Sequence, residues 1–503
     1  MGVGERGGMK RAGRVAVAAV GAALALGCAA RTPRIAGRPG APDAPNHLWQ
    51  PPPSAQRPDS LRPAAMPAGL AERAATLTLG DVVDLALQNN PATRASWAQA
   101  RAAADAYGSA RGSYLPTVDA AVNATRSSQP AATSSGNGGT VIIDRTRTSV
   151  APALSVNYLL FDLGGRGGRV ASARENAFAL DFTHNATIRN TVLQVEQAYF
   201  TYVGTRALLE AQRTSLEEAL ASYRAAAKRD TVGLATIADV LQARTALSQA
   251  QLDLVTTEGQ LQTTRSALAV ALGVSPTLPY DVVARPEDVP VGEVADSVEA
   301  LINLALRTRP ELQAAYASAA AARAQIRVAR SAALPSLALT GTTGYTNSNI
   351  PALTGRSYTV GLGLQLPLFN GGSRQYDIAR ASALAEAAQA QAESVRQTVI
   401  ADVFASYYDV RTATQQVRTS DELLASASAS LRAAQARYTG GVGSILDLIT
   451  AQTALATARA QQVQARWVWA LRLAQLARDA GALDVHGAAN VPVTRDSTLS
   501  PNR

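Results

Sequence analysis

Ser357-Tyr358-Thr359-Val360-Gly361-Leu362-Gly363-Leu364-Gln365-Leu366 alternates strictly between large apolar and small or polar residues. In an extended chain Tyr358, Val360, Leu362, Leu364 and Leu366 face one way, and Ser357, Thr359, Gly361, Gly363 and Gln365 the other. Residues 149–160 do the same, with Val150, Leu154, Val156, Tyr158 and Leu160 opposed to Ser149, Ala151, Ala153, Ser155 and Asn157. A weaker alternating partner precedes each stretch, at 117–126 and at 336–346. A strand of about ten residues with one apolar face fits a tilted membrane-spanning strand. A soluble sheet with one wet face alternates in the same manner. An export signal, described below, and the lack of any other core for these hairpins favour the membrane. Four strands cannot close a membrane barrel, whose smallest examples have about eight. Lipid does not tolerate an open edge. Several copies must therefore share one barrel.

The rest of the chain reads as very long helices. Prolines are absent from 153 to 275 and from 368 to 491. Val195, Tyr202, Leu209, Leu216 and Tyr223 recur every seven residues, with the smaller Ala198, Thr205, Ala219 and Ala226 three residues after their neighbours. Val403, Val410, Val417, Leu424, Leu431 and Tyr438 repeat this spacing, as do Val240, Leu247, Leu254, Leu261 and Leu268. Large and small residues at a strict period of seven specify supercoiled packing with close axes. A helix from 172 to 228 would measure roughly 85 Å. Asp230-Thr231-Val232-Gly233-Leu234-Ala235-Thr236 and Thr439-Gly440-Gly441-Val442-Gly443-Ser444 interrupt the pattern. Each combines Gly for a positive φ with Thr or Ser to cap the next helix. The spacing predicts two antiparallel helical hairpins with tips near 233 and 441.

The two halves are copies of one unit. Leu85-Ala86-Leu87-Gln88-Asn89-Asn90-Pro91 matches Leu304-Ala305-Leu306-Arg307-Thr308-Arg309-Pro310, and Leu115-Pro116 matches Leu334-Pro335. Leu160-Phe161-Asp162 matches Leu368-Phe369-Asn370, and Asp239-Val240-Leu241 matches Asp447-Leu448-Ile449. The offset shortens between these pairs, so the first copy carries extra residues between 116 and 161. The Ser/Gly-rich stretch Ser127 to Gly139 is the expected insertion, a loop on the outer side. The domain reading is a signal peptide at 1–27, a Pro-rich tether at 28–76, structural repeats at 77–290 and 291–484, and a tail at 485–503.

The N-terminus supplies the address. Met9-Lys10-Arg11-Ala12-Gly13-Arg14 is basic, Val15 to Leu26 is apolar, and Ala25-Leu26-Gly27-Cys28 follows. This is an export signal, too short to span a bilayer. Cys28, the one cysteine of the chain, stands where a lipoprotein carries its acylated residue, although Ala25 replaces the usual Leu, Val or Ile. Ordinary cleavage near Ala29 or Ala30, which would discard Cys28, is the alternative. One Cys excludes an internal disulfide, and three scattered His form no local metal motif. The 47 Lys+Arg outnumber the 38 Asp+Glu, but without a basic run or interleaved aromatics, which argues against nucleic acid. No Walker loop, nucleophile elbow or metal-helix motif occurs. The expectation is no enzyme, no catalytic or metal residues, no cofactor, and energy supplied by a partner.

Across residues 77 to 482 the sequence resembles the TolC-like outer-membrane efflux proteins. The resemblance rests on Leu77-Thr78-Leu79 leading to Asn90-Pro91 and on the Leu-Pro before each first strand. It rests also on Phe161-Asp162-Leu163-Gly164-Gly165, on Phe369-Asn370-Gly371-Gly372, and on Asp239-Val240-Leu241-Gln242-Ala243 with Asp447-Leu448-Ile449-Thr450-Ala451-Gln452. It implies a homotrimer with a twelve-stranded membrane β-barrel and a long periplasmic α-helical barrel, docked to a periplasmic adaptor and an inner-membrane pump. The implied function is an outer-membrane exit duct of a tripartite efflux system, embedded in outer-membrane lipid. An exit duct for type I protein secretion and a structural coiled-coil envelope protein are the alternatives. The last would leave the strand hairpins unexplained.

The resemblance also implies site residues. Val232, Gly233, Leu234, Ala235 and Thr236 match the family's docking tip, and Gly441, Val442 and Gly443 match it less closely. Asp447 would line a carboxylate ring at the pore entrance, with Thr450 where relatives carry a second acid. Tyr438 and Asp239 would form the gate latch, and the basic partner expected near 443 is replaced by Gly443. The competing reading is that Asp239 and Asp447 cap their helices.

Overall fold

In a computed structural model of the chain the described residues are 34–35, 38–39, 77–134, 138, 140–282, 291–483 and 493–495. The chain forms two compact units, Met1–Ala65 and Met66–Arg503. In the first, the short strands Arg34–Ile35 and Arg38–Pro39 pair antiparallel. Cys28, the expected signal peptide and most of the expected tether and tail lie outside the described residues.

The second unit repeats one series of elements. The first series is α1 (Leu79–Asn89), α2 (Pro91–Gly112), β1 (Thr117–Ser134), β2 (Thr140–Phe161), α3 (Gly165–Thr231) and α4 (Ile237–Leu272). The second is α5 (Val298–Thr308), α6 (Pro310–Ser331), β3 (Ser336–Ser348), β4 (Gly355–Gln365), α7 (Ser373–Thr439) and α8 (Ile445–Asp479). Prolines at the first positions of α2 and α6 separate each from the helix before it, because proline fits a helix start and breaks an interior. The helices α3 and α7 each have 67 residues, about 100 Å at 1.5 Å per residue. They exceed the expected span because they begin directly after Gly164 and Gly372, whose left-handed φ values of 98° and 82° turn the chain out of its strand.

The strands form one antiparallel sheet in the order β1-β2-β3-β4. Neighbouring contacts run in parallel order below it, α2 to α3, α3 to α6 and α6 to α7. Pro152 lacks an N–H, and the β2–β3 ladder passes from Val150↔Asn347 to Ala153↔Gly344 without intervening rungs but in unchanged register. The expected loop from Ser127 to Gly139 is corrected by the structure. Strand β1 runs on to Ser134, and β2 already starts at Thr140, paired throughout from Thr117↔Asn157 to Ser134↔Thr140. Hydrophobic alternation does not reveal a two-stranded ribbon held by backbone pairing.

The main core lies where the short helices meet the long ones. Leu77, Val82, Val83 and Leu85 are buried with Val192, Val195, Leu268, Leu272, Val399 and Val403. At the crossing of α3 and α8, a Cβ on Gly204 would stand 2.5 Å from the Trp467 ring, so only glycine admits this approach. Arg309, 4% exposed, donates to Asp402 at 2.9 Å, while Arg478 bridges to Glu311 at 3.1 Å. This charged knot ties α6 to both α7 and α8. In the same region Glu196 is 2% exposed, and its Oε2 has no hydrogen-bond partner. Burial pushes its carboxyl up from 4.5 to about 8.

Candidate functional site

The sheet register separates two chemical faces. Residues directly opposite in an antiparallel pair share a face. Asn123↔Ala151, Thr125↔Ser149, Asn157↔Thr340 and Thr342↔Thr359 line one face with small and polar groups. Val122, Val150, Leu154, Val360, Leu362 and Leu364 occupy the other face and are exposed in the single chain. Tyr358 is 84% exposed. An apolar band of this kind, about ten residues tall, matches a lipid-facing belt around a wet interior. Among the described residues the outer strands β1 and β4 each keep one edge without a partner. Closure in lipid therefore needs further copies.

The opposite end of the molecule is built by the two helical tips. At the first, Gly233 takes φ 73°, and its N–H bonds to the Asp230 carbonyl at 2.9 Å. Thr236 then caps α4 in a capping box with Asp239, its N–H and hydroxyl donating to Asp239 Oδ2 at 2.8 and 2.9 Å. At the second, Gly441 takes φ 77°, and Ser444 caps α8 with Asp447. The Asp447 N–H bonds to the Ser444 hydroxyl at 3.1 Å. Val232, Leu234 and Ile237 at the first tip, and Val442 and Leu446 at the second, are exposed. Ala235 is half-buried, and Thr236 and Asp447 are exposed. Behind the tips Leu431, Tyr438, Leu448 and Leu455 cluster with Ala226 of α3 and Ala243 of α4. The heptad seam of α7 and α8 thus closes on small residues of the first hairpin.

Tyr438 sits at the junction of the two tips. The Arg229 guanidinium donates through Nη1 to the Tyr438 carbonyl at 2.6 Å and lies 4.6 Å from its ring centroid. The Tyr438 hydroxyl is buried without a hydrogen-bond partner. Within one chain it makes no bond to Asp239, whose Oδ2 is engaged by the Thr236 cap. Sequence reasoning missed Arg229. Its signal was a cation in the last turn of a helix, beside Lys228. The structure also explains Gly443. A Cβ there would lie 2.9 Å from the Arg437 Cβ and 3.1 Å from the Tyr438 nitrogen. A basic side chain has no room at that turn.

The geometry of an apolar belt on one end and capped helical tips on the other agrees with the comparisons. The family model described as "Outer membrane efflux protein" matches residues 82–274 and 301–482. Protein CyaE of Bordetella pertussis is 31% identical over 397 residues, 78% of this chain and 81% of its own length. Outer membrane protein OprJ of Pseudomonas aeruginosa is 29% identical over 388 residues, 74% of this chain and 77% of its own. A crystal structure of a membrane protein from Pseudomonas aeruginosa superposes with a TM-score of 0.71 at 25% identity, covering 85% of this chain and 99% of that one. The chain belongs to the outer membrane efflux protein family, non-enzymatic ducts in which a homotrimer shares one membrane β-barrel prolonged by long periplasmic helices.

Proposed function

We propose that this outer-membrane exit duct serves a tripartite efflux system and receives its solutes from an inner-membrane pump through a periplasmic adaptor docked on the two helical tips. The observation that carries the docking is the exposed apolar set Val232, Leu234 and Ile237 with Val442 and Leu446. Apolar side chains at the wet end of a coiled coil gain free energy when a partner covers them. Gly233 and Gly441 hold both turns in a shape that Ala235, Thr236 and Gly443 complete. The duct has no nucleotide-binding loop in its sequence, so the driving energy comes from the pump. In this reading Asp447 lines the pore entrance, and Tyr438 and Asp239 belong to the gate. Cys28, by its place after the apolar run, anchors the mature chain to outer-membrane lipid; mass spectrometry of the mature N-terminus tests it.

A photo-crosslinker placed at Leu234 or Val442 in living cells tests the docking. The expected product joins the duct to its adaptor, and a Leu234→Ser/Val442→Ser variant should lose solute export while still forming a heat-stable trimer. Normal export by that double variant removes the tips from docking. Export of a protein but of no small solute would transfer the same docking to a secretion system.

A further inference from the structure

The first strand hairpin is longer than the membrane requires. Strand β2 pairs with β3 only from Ser149 to Phe161. The Asn349 side chain ends that pairing: its Oδ1 accepts from the Thr148 N–H at 2.8 Å, and its Nδ2 donates to the Thr146 carbonyl at 3.1 Å. Beyond it β1 and β2 continue as a two-stranded ribbon, from Ser127↔Arg147 to Ser134↔Thr140. At about 3.3 Å per residue the ribbon extends roughly 30 Å past the last β2–β3 rung. It continues from the end of the sheet opposite the helices, so it stands at the outer mouth.

Its two faces follow from the same register. Ser127↔Arg147 and Gln129↔Arg145 continue the face of Thr125↔Ser149 and Asn123↔Ala151, which lines the duct interior. Asp144, opposite Pro130, is on the other face. Arg145 is exposed. Arg147 is half-buried, and its Nε is shielded from solvent with no acceptor. A guanidinium donor that has lost water without gaining an oxygen favours an incoming anionic acceptor. Two further arginines, Arg126 opposite Thr148 and Arg356 opposite Tyr345, lie on the lipid-side face instead.

We propose that Arg145 and Arg147, brought together by the trimer, form a basic collar at the outer mouth that binds multivalent anions and biases the exit of anionic solutes. The proposal rests on the duct assignment and on the small, polar face lining its interior. Like charges repeated around an aqueous opening raise the local concentration of counter-ions within about a Debye length and favour one sign of ion. The arginine fork matches phosphate, sulfate and carboxylate oxygens.

Purified trimer in a planar bilayer, inserted in one orientation, tests the collar with tripolyphosphate as the probe. Added on the ribbon side, tripolyphosphate should reduce the current, and raised salt should relieve the block. Arg145→Gln/Arg147→Gln should weaken the block by about tenfold or more while the trimer and its open conductance persist. Arg126→Gln/Arg356→Gln should leave the block unchanged. A block retained in the first double variant, lost in the second, or equal from both sides overturns the collar. Absence of any conductance in the wild type would instead count against the duct itself.

Discussion

Arg229 joins the first helical tip to the second through Tyr438. Its contacts to Tyr438 use the carbonyl and the ring face, so neither depends on the tyrosine hydroxyl. Arg229→Ala should therefore raise the baseline conductance of the trimer more than Tyr438→Phe does, and should destabilise the tip by about 1–2 kcal/mol. Arg229→Lys should fall between, since lysine keeps the charge but not the planar fork. The reverse order of conductances would return the latch to the hydroxyl and Asp239. Glu196 makes a separate prediction at this scale. Its folded carboxyl titrates near 8 and its ordinary value is 4.5, so the folded state holds the proton more tightly than the unfolded chain. The stability this gives is complete below the ordinary value and is lost as pH rises towards and through 8, a swing of roughly 5 kcal/mol per chain. Glu196→Gln should flatten thermal stability between about pH 5 and pH 9 and should gain most at the alkaline end. An unchanged pH profile would mean that the buried carboxyl does not titrate as its surroundings imply.

The strands and helices differ in how much of them a sequence can announce. On β4, Leu362→Arg places a charge in the lipid belt and should cost about 2–4 kcal/mol per chain near mid-membrane, whereas Thr359→Arg on the interior face should be tolerated. Heat-resistant trimer recovered from the outer-membrane fraction checks both, and equal yields would mean that the faces are assigned wrongly. That face assignment was legible because lipid enforces the alternation of Tyr358 to Leu366. The paired long helices were legible too, because a strict seven-residue repeat and a proline-free span leave few other packings. The outer ribbon was not. Ser127 to Pro130 is exposed along both faces, so backbone pairing is what specifies the ribbon, and its composition reads as a loop. The Arg229 contact was hidden for another reason. It joins residues 209 apart, and no local pattern in either helix refers to the other. Asp239 and Asp447 stand between these cases: their spacing three residues after Thr236 and Ser444 announces a cap, and the caps form. A cap uses one side of a carboxylate, so capping and facing a pore are compatible.

For the whole molecule, the distribution of charge along the duct matters more than its sum. The formal net charge is +9, yet the charges that face the duct are few and local: Asp119, opposite Ser155, lies on the small, polar sheet face. Asp447 is exposed at one end, and Arg145 and Arg147 lie on the interior face at the other. In the proposed duct each of these charges is repeated three times around one axis, and a ring of like charges attracts the opposite ion. A narrow inner end should then control selectivity in the closed state, because a field acts most where the pore is tightest and least screened. Asp447→Asn is the decisive variant. Asparagine also accepts the capping hydrogen bond, so α8 and the tip should keep their stability to within about 0.5 kcal/mol. The reversal potential in a salt gradient across a planar bilayer should move away from cation preference, and the conductance of cations at low salt should fall several-fold while that of anions rises. Repeating the measurement at high ionic strength should erase most of the difference, since a Debye length near 3 Å at about 1 M salt leaves the ring screened. A reversal potential identical to wild type at low salt would place Asp447 outside the pore and leave it with its capping role alone.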